Sequence, residues 1–157
     1  MSETDDTVAI DQLQRAYADA VNRRDWDALA RIFRPDAKIS LDLVTRPPID
    51  IVGPEALGAF IAPAIERFTF FQFVILNSHI ELWPDHDHNA ATARLFMCEL
   101  RATAGATDAD GGAERDDAFG LYRDRYARTD GGWRIAERRY RSMARFPSGQ
   151  VFPLDTD

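Results

Sequence analysis

The stretch DDAFGLYRDRYARTDGGWRIAERRYRSMAR, residues 116–145, decides the fold class of this chain. Two long segments, residues 116–128 and 133–145, flank the turn Thr129-Asp130-Gly131-Gly132. The Asp-Gly pair supplies the positive φ angles that tight hairpin turns need. The stretch therefore predicts two long antiparallel strands.

Two further long strands are predicted before this hairpin. They comprise residues 71–83 and 90–101, and a polar turn separates them. Residues 102–113, which are rich in alanine, glycine, aspartate and threonine, are expected to form a mobile loop. The four long strands together predict a meander, in which alternate residues point to opposite faces of the sheet.

The first third of the chain predicts three helices and one strand. Apolar residues recur every three or four positions between residues 8 and 21, which is the spacing of one helical stripe. Asp25 is a suitable N-cap for a second helix, which ends before Pro35. Residues 37–44 alternate between apolar and polar, as in a half-buried strand. The segment Gly53-Pro54-Glu55 has the composition of a helix start and opens the third helix.

This order of elements predicts an α+β fold with three N-terminal helices packed on a strongly curved, mainly antiparallel sheet. Such a sheet closes partly around its helices and leaves a pocket. The 157 residues are expected to form a single domain. An acidic tail at residues 1–7 and a C-terminal tail at residues 146–157 complete the predicted organisation.

Composition and charge bear on the class of partner. The chain is 45% hydrophobic and 29% charged, as in ordinary globular proteins, and its net charge of −7 argues against nucleic acid. No apolar stretch has the length of a membrane span, so no membrane partner is expected. The single cysteine, Cys98, excludes an internal disulfide and suits a reducing cytoplasm. Half of the eighteen arginines fall between residues 115 and 145, which either coding bias or an anion-binding site would explain.

Five short motifs carry a family resemblance. They are YADA at residues 17–20, RDWDAL at 24–29, FRPDA at 33–37, GLYRDRY at 120–126 and DGGWRI at 130–135. Their order and spacing resemble SnoaL-like proteins of the nuclear transport factor 2-like superfamily, over residues 8–145. This group includes polyketide cyclases and is similar to scytalone dehydratase and bile-acid dehydratase. The resemblance implies a cone-shaped α+β barrel whose pocket holds a small apolar ring compound.

The resemblance also implies acid–base chemistry on ring systems without a metal or an organic cofactor. Tyr17 matches a catalytic tyrosine of bile-acid dehydratase, whereas Asn22 occupies the position of an aspartate in the dehydratases. Phe73 takes the place of a histidine of scytalone dehydratase, and His79 lies on the same predicted strand. By period-two counting both residues share a face, and His79 can replace the missing histidine only if the strand bulges or shifts.

Proton transfer beside a carbonyl needs a base near neutrality and a donor to the developing oxyanion. Tyr17 and His79 are the candidate donor and base. Asp124 is a supporting acid–base candidate, because it shares a face with Tyr122 and Tyr126. A structural carboxylate paired with an arginine is the alternative interpretation of Asp124. The residues expected to contact the ligand are Trp26, Phe33, Phe60, Phe73, Asn77, Glu99, Tyr122, Arg139 and Arg141.

Two functions agree with these features. The first is a cofactor-independent cyclase, isomerase or dehydratase. The second is a non-catalytic carrier of small molecules, or a partner subunit resembling the beta subunit of ring-hydroxylating dioxygenases. No metal site is expected, because the segment His86-Asp87-His88 lies in a polar turn without a further ligand pair. In either case a homodimer through the outer face of the sheet is expected.

Overall fold

The computed structural model describes residues 2–107 and 112–154. The helices are α1 (Glu3–Arg23), a 3-10 helix (Trp26–Arg31), α2 (Pro54–Ile65) and a short 3-10 turn (Pro84–His86). The strands are β1 (Phe33–Asp42), β2 (Ile49–Val52), β3 (Phe68–Leu82), β4 (Ala90–Thr107), β5 (Ala113–Arg115), β6 (Asp117–Thr129), β7 (Gly132–Phe146) and β8 (Gln150–Val151).

One mixed sheet contains all of these strands. Its order is β2-β1-β7-β6-β4-β3, with β5 beside β4 and β8 beside β7. Among the pairings of the described residues, β1–β7 is parallel and the others are antiparallel. The sheet curls around α1, the 3-10 helix and α2, so that its concave face and the helices enclose the core. The predicted α+β architecture is confirmed.

Helix α1 begins within the segment that the sequence predicts to be an acidic tail. Ser2 caps the helix, because its hydroxyl accepts from the Asp5 N–H while the Asp5 carboxylate accepts from the Ser2 N–H. This reciprocal pairing is a capping box, which stabilises a helix start. The acidic side chains of the first turn also favour the helix dipole. The tail prediction is therefore wrong for residues 3–7.

Asp6 connects the start of α1 to the β6–β7 hairpin. Its buried carboxylate accepts from Arg128 Nη2 at 2.6 Å and from Trp133 Nε1 at 3.0 Å. The hydrogen bond from Arg128 lowers the pKa of Asp6 against the opposing effect of burial, and Trp133 adds to the lowering. The contact joins residues more than a hundred positions apart.

The second and third helices begin at their predicted caps, but the second is a 3-10 helix that ends at Arg31, and residues 33–34, which the sequence predicts to be helical, belong to β1. Asp25 caps the 3-10 helix through a hydrogen bond from the Ala28 N–H to its side chain. Gly53 caps α2 with a φ of +86°, and a Cβ there would lie 2.8 Å from the carbonyl oxygen of Pro35. This turn therefore needs glycine. Helix α2 ends two residues after Pro63, as expected for a proline near a helix end.

The pairings of the long strands contain four register shifts, and two of these bulges decide which side chains face the cavity. In β3 the extra residue is Leu76, whose two neighbours pair with consecutive residues of β4. In β7 the extra residue is Ala136, whose neighbours pair with consecutive residues of β6. Because side chains alternate with a period of two, every residue beyond a bulge points to the face opposite to the one that simple counting predicts.

The loop predicted at residues 102–113 is mostly strand where the structure describes it. Strand β4 continues to Thr107, and β5 begins at Ala113 and pairs with β4. Residues 108–111 of that prediction lie outside the described residues, as do residues 155–157 of the predicted C-terminal tail. Within that tail, residues 150–151 form β8 beside β7.

The convex face of the sheet and its edges carry both apolar and charged side chains. Leu76 and Phe70 are exposed on β3, whereas Arg94 and Arg139 belong to a charged group further along the sheet. The homodimer predicted through this face stays a prediction. None of the helices described in residues 2–107 and 112–154 is both long and apolar enough to cross a membrane. The cytoplasmic location also stays a prediction.

We expect Asp6→Asn to lower the free energy of unfolding by about 1.5–3 kcal/mol at neutral pH, because a charge-assisted hydrogen bond in a buried site is lost. Since the pKa of Asp6 is lowered on folding, this stabilisation is present above the unfolded pKa of about 3.9 and disappears as the pH falls through the folded value. Urea unfolding at several pH values measures both effects. The exposed Asp11→Asn is the control, and an equal loss for both variants would contradict the anchoring role of Asp6.

Candidate active site

A cavity of about 250 Å³ lies between α1, α2 and the concave face of the sheet. Small-molecule pockets usually have about 300–1,000 Å³, so this one suits a small ligand. Its apolar wall consists of Val21, Ile39, Leu41, Leu43, Leu57, Phe60, Ile61, Ala64, Ile65, Phe73 and Ala118. Its polar side chains are Tyr17, Arg46, Arg67, Glu99, Arg101, Tyr122, Arg138, Tyr140 and Arg145.

A fully buried ion pair lies at the inner end of this cavity. Arg138 on β7 donates from Nε to Asp124 Oδ1 at 2.8 Å and from Nη2 to Asp124 Oδ2 at 2.6 Å. The two side chains are only 1% and 0% exposed. Burial disfavours the guanidinium charge, but the carboxylate of Asp124 outweighs this effect and raises the pKa of Arg138. Arg138 therefore keeps its positive charge inside the core.

Hydrogen bonds continue from this ion pair across the core to α1 and β3. The Tyr126 hydroxyl donates to Asp124 Oδ2 at 2.8 Å and accepts from Gln14 Nε2 at 3.0 Å. The Ser78 hydroxyl donates to Gln14 Oε1 at 2.6 Å. Burial and the Asp124 charge raise the pKa of Tyr126 well above its usual value, so its hydroxyl remains a donor. The hydrogen bonds of Ser78, Gln14 and Tyr126 thus form a continuous series that ends at the Asp124 carboxylate.

Aromatic rings surround the Arg138 guanidinium on the cavity side. Its central carbon lies 4.2 Å from the Tyr122 ring centroid and 4.3 Å from that of Tyr17. Burial raises the pKa of both tyrosines, in spite of the nearby charge of Arg138. Both hydroxyls therefore stay protonated at neutral pH.

One nitrogen of Arg138 is left without a partner. Nε and Nη2 are committed to Asp124, whereas Nη1 forms no hydrogen bond of good geometry with any residue that the structure describes. Arg138 is among the residues that line the cavity, whereas Asp124 is not. A buried donor without an acceptor is unfavourable, and an oxygen atom of a ligand would satisfy it.

Glu99 on β4 places a carboxylate in the same cavity. It lies opposite Phe73 in the β3–β4 pairing, and its side chain is 23% exposed. Oε2 accepts from Arg101 Nη1 at 3.0 Å. Burial raises the pKa of Glu99 above its usual value, although Arg101 and Arg145 act in the opposite direction. This carboxylate is therefore a stronger base than a solvated glutamate.

Tyr140 packs over β6 because Gly120 has no side chain. A Cβ on Gly120 would overlap the ring and the hydroxyl of Tyr140. The ring centroids of Tyr140 and Tyr122 are 5.2 Å apart. Burial raises the pKa of Tyr140, so this hydroxyl is also protonated. Gly120 therefore helps to shape the polar side of the cavity.

The sequence model of the SnoaL-like domain matches residues 2–139. The chain belongs to the SnoaL-like family. The resemblance expected from the sequence motifs is thereby confirmed. No curated protein is a significant match for the chain.

Solved structures share the fold of this SnoaL-like protein. The Kfla4162 protein from Kribbella flavida has a TM-score of 0.76 at 19% identity, covering 94% of this chain and 97% of that one. A proposed scytalone dehydratase from Novosphingobium aromaticivorans has a TM-score of 0.72 at 16% identity, covering 95% and 89%. The hexachlorocyclohexane dehydrochlorinase LinA-type3 from Novosphingobium barchaimii has a TM-score of 0.71 at 19% identity, covering 95% and 94%. Likeness at these identities shows the fold alone.

Five of the residues predicted from the sequence line the cavity of this SnoaL-like protein. They are Tyr17, Phe60, Phe73, Glu99 and Tyr122. The rings of Tyr17, Phe73 and Tyr122 contact one another, with centroids 5.5 to 6.2 Å apart. The structure thus brings these residues together, and their roles toward a ligand stay predictions.

His79, the predicted base, does not reach the cavity. Its side chain is 58% exposed and lies 3.3 Å from Glu81 on the outer side of β3. The bulge at Leu76 is the reason, because it turns Ser78 inward and His79 outward. The prediction that His79 acts beside Tyr17 is therefore wrong in its geometry.

Asp124 is buried as predicted, but it faces Arg138 rather than the cavity. This is the structural alternative that the sequence left open. Phe33 is also buried behind the cavity, where its ring centroid lies 5.5 Å from the central carbon of Arg138. Both residues support Arg138 and do not line the cavity, contrary to their predicted roles.

Four other predicted ligand contacts also lie elsewhere. Trp26 packs against Gly58 of α2, and Asn77 lines a groove between α1 and β3. Arg139 pairs with Glu137 on the outer face, at 2.7 Å. Arg141 pairs with Asp42 of β1, also at 2.7 Å. The bulge at Ala136 explains why Arg139 and Arg141 point away from the cavity. It turns Arg138 and Tyr140 inward and their neighbours outward.

Asn22 has a structural role at the position where the dehydratases have an aspartate. Its Nδ2 donates to the carbonyl oxygen of Phe73 at 3.0 Å, and its Oδ1 accepts from the Phe73 N–H at 2.7 Å. The amide therefore satisfies both backbone groups on the free edge of β3. An aspartate could accept but could not donate here.

The most important residue that sequence reasoning missed is Arg138. Counting back from the turn pair Thr129 and Gly132, a regular hairpin places Asp124 opposite Glu137. Two like charges directly opposite each other are unfavourable. A shift of one residue pairs Asp124 with Arg138 instead, and this is the register that the structure adopts. That charge conflict is the signal that could have found the bulge.

We expect Asp124→Asn to lower the free energy of unfolding by about 3–5 kcal/mol, because it leaves the Arg138 charge buried without a counter-ion. Equilibrium urea unfolding measures the loss. Asp36→Asn, which breaks an exposed pair with Arg34, is the control and changes stability by about 0.5 kcal/mol or less. Similar losses for the two variants would show that the buried pair does not support the fold.

Glu99→Gln is expected to raise the melting temperature at pH 7. The raised pKa means that folding favours the protonated carboxyl, so the charge destabilises the wild type above the folded pKa. The advantage of the variant should disappear as the pH falls below the unfolded pKa of about 4.3, where the wild type is protonated in both states. Calorimetry at several pH values tests this, with the exposed Glu81→Gln as the control. A lower melting temperature for Glu99→Gln at pH 7 would contradict the expectation.

Proposed function

We propose that this SnoaL-like protein is a cofactor-independent enzyme that moves a proton beside the carbonyl group of a small apolar ring compound. The observation that carries the proposal is that one cavity is lined both by the desolvated Glu99 carboxylate and by the buried, charged Arg138, whose Nη1 has no hydrogen-bond partner among the described residues. Removing a proton beside a carbonyl needs a base together with a donor to the oxyanion that forms. Isomerases, cyclases and dehydratases that act beside a carbonyl group use this step.

Glu99 is the proposed base. Burial raises its pKa above the usual value and so increases its proton affinity, which brings the carboxylate closer to the range that general base catalysis requires. Arg101 is held on its other side by Asp116, at 2.8 Å, and donates to Glu99 Oε2. That contact fixes the carboxylate and leaves Oε1 as the oxygen that would take the proton.

Arg138 is the proposed donor to the oxyanion, and Tyr17 and Tyr122 support it. The guanidinium is fixed before any ligand binds, because Asp124 holds two of its nitrogens and the aromatic rings flank it. Donors that are already oriented in a site of low dielectric stabilise developing charge strongly. The hydroxyls of Tyr17 and Tyr122 remain protonated and can donate to the same oxygen.

The names of the structural neighbours agree with an apolar ring as the substrate. Hexachlorocyclohexane, the compound in the name of the dehydrochlorinase from Novosphingobium barchaimii, is such a ring. In this chain, however, the side chain of Asn22 forms hydrogen bonds with the backbone of Phe73. These two residues occupy the positions at which the dehydratases have an acid and a base. We therefore place the acid–base chemistry on Glu99 of β4 and Arg138 of β7.

A non-catalytic binding protein is the second candidate, and the pair Asn22 and Phe73 favours it. An amide and a phenyl ring in place of an acid and a base are expected where a family member keeps the pocket and loses the reaction. The two candidates differ in one measurable property: both bind the ring compound, but only the enzyme exchanges its protons.

The test is a thermal-shift screen against cyclic ketones, followed by proton NMR of the bound compounds in heavy water. We expect the wild type to exchange the protons beside the carbonyl, and Glu99→Gln to slow the exchange by about 100-fold or more. Tyr17→Phe is expected to slow it by about tenfold, since Arg138 remains as a donor. The matched controls, Glu81→Gln and His79→Ala, lie outside the cavity and should exchange at the wild-type rate.

One outcome would decide against the enzyme, and another against the proposed base. If the wild type binds a ketone and does not exchange its protons, the binding protein becomes the better description. If Glu99→Gln exchanges as fast as the wild type while still folded, Glu99 is not the base.

A further inference from the structure

The mouth of the cavity carries an excess of positive charge. Four arginines line it, and the carboxylates of Glu99 and Asp116 are the acidic groups that pair with them. The arginines are Arg46, Arg67, Arg101 and Arg145. The Arg138 charge further inside is balanced by Asp124. The chain as a whole has a net charge of −7, so this positive region contrasts with the rest of the molecule.

Asp116 is shared among three of these guanidinium groups. Its Oδ2 lies 2.8 Å from Arg101 Nη2, 3.3 Å from Arg145 Nη1 and 3.9 Å from Arg67 Nη2. Only the contact with Arg101 is short, and Arg101 also bonds Glu99 and the carbonyl oxygen of Asp116. A single carboxylate cannot neutralise three cations. Of the three guanidinium groups, that of Arg67 therefore has the weakest interaction with the carboxylate.

Arg46 and Arg67 are the two arginines available to a ligand. Arg67 is 68% exposed and holds Asp116 only at 3.9 Å. Arg46 forms no ion pair with any residue in the described ranges, and it lies in the loop between β1 and β2 at the edge of the cavity. A guanidinium presents its donors in a fork that matches a carboxylate group.

Arg138, whose Nη1 has no acceptor among the described residues, is a further polar residue of the cavity lining. Its positive charge favours an oxygen atom of a ligand at the inner end, whereas the apolar wall between the two ends favours a hydrocarbon ring. A ligand that satisfies all three regions carries an oxygen at one end, a ring in the middle and an anionic group at the other end.

We propose that the ligand is an organic anion: a small ring that carries a keto oxygen toward Arg138 and a carboxylate toward Arg46 and Arg67. The inference rests on the proposed function, because it uses the same cavity and the same keto group. It goes further by assigning a negative charge to the substrate, and the proposed proton transfer does not require such a charge. The positive mouth also attracts such an anion toward a protein that is negative elsewhere.

The test compares 4-oxocyclohexanecarboxylate with its carboxamide, which has nearly the same shape and no charge. Titration calorimetry gives the dissociation constants for the wild type and for Arg46→Gln/Arg67→Gln. A second double variant, Arg94→Gln/Arg139→Gln, removes the same charge from the outer face of the sheet and is the matched control. Circular dichroism checks that each variant is folded.

We expect the wild type to bind the carboxylate about tenfold more tightly than the carboxamide, which is the effect of two exposed ion pairs. Arg46→Gln/Arg67→Gln should abolish this preference and leave the affinity for the carboxamide unchanged, whereas the control keeps it. Added salt should weaken the binding of the carboxylate alone.

Equal affinities of the wild type for the two compounds would overturn the proposal, as would an equal loss of preference in the control. If the carboxamide binds and exchanges the protons beside its keto group while the carboxylate has no advantage, the proposed function stands and the anion preference fails. If the wild type binds neither compound, both proposals are overturned.

Discussion

The buried ion pair between Arg138 and Asp124 is the interaction on which the rest of this structure depends. A charge pair inside a core is tolerated only when all of its partners are in place, because each unpaired charge is strongly unfavourable there. Tyr126, Gln14 and Ser78 extend the pair to α1 and β3, so one chain of hydrogen bonds fixes the position of the helix, the register of the hairpin and the edge strand. The same pair holds Arg138 in the lining of the cavity and leaves its Nη1 without a hydrogen-bond partner among the described residues.

The cavity derives its chemical character from the low polarity of its surroundings. Desolvation raises the pKa of Glu99 and keeps Tyr17, Tyr122 and Tyr140 protonated, whereas Asp124 preserves the charge of Arg138. A base, several hydroxyl donors and a cation therefore coexist behind an apolar wall. In this SnoaL-like protein these polar groups lie on α1, β4, β6 and β7. The side chain of Asn22 instead forms hydrogen bonds with the backbone of Phe73 on the edge strand β3.

Local rules were sufficient for most of the secondary structure. The helical stripe, the cap at Asp25, the turn at Gly53 and the Asp-Gly hairpin are each decided by a few neighbouring residues, and the structure contains all of them. The start of α1 shows the limit of such rules. Acidic residues there suggested a solvated tail, but Asp6 is buried because its partners, Arg128 and Trp133, come from the far end of the chain.

The sequence by itself determined the family, the order of the elements and five side chains of the cavity, because these follow from local spacing and from short motifs. The tertiary structure decided which ionisable groups share the cavity. Two single-residue bulges, at Leu76 and Ala136, turned His79 and Arg139 outward and Arg138 inward. Because strand faces alternate with a period of two, one extra residue reverses every later assignment, and only the pairing with a neighbouring strand shows where that residue lies.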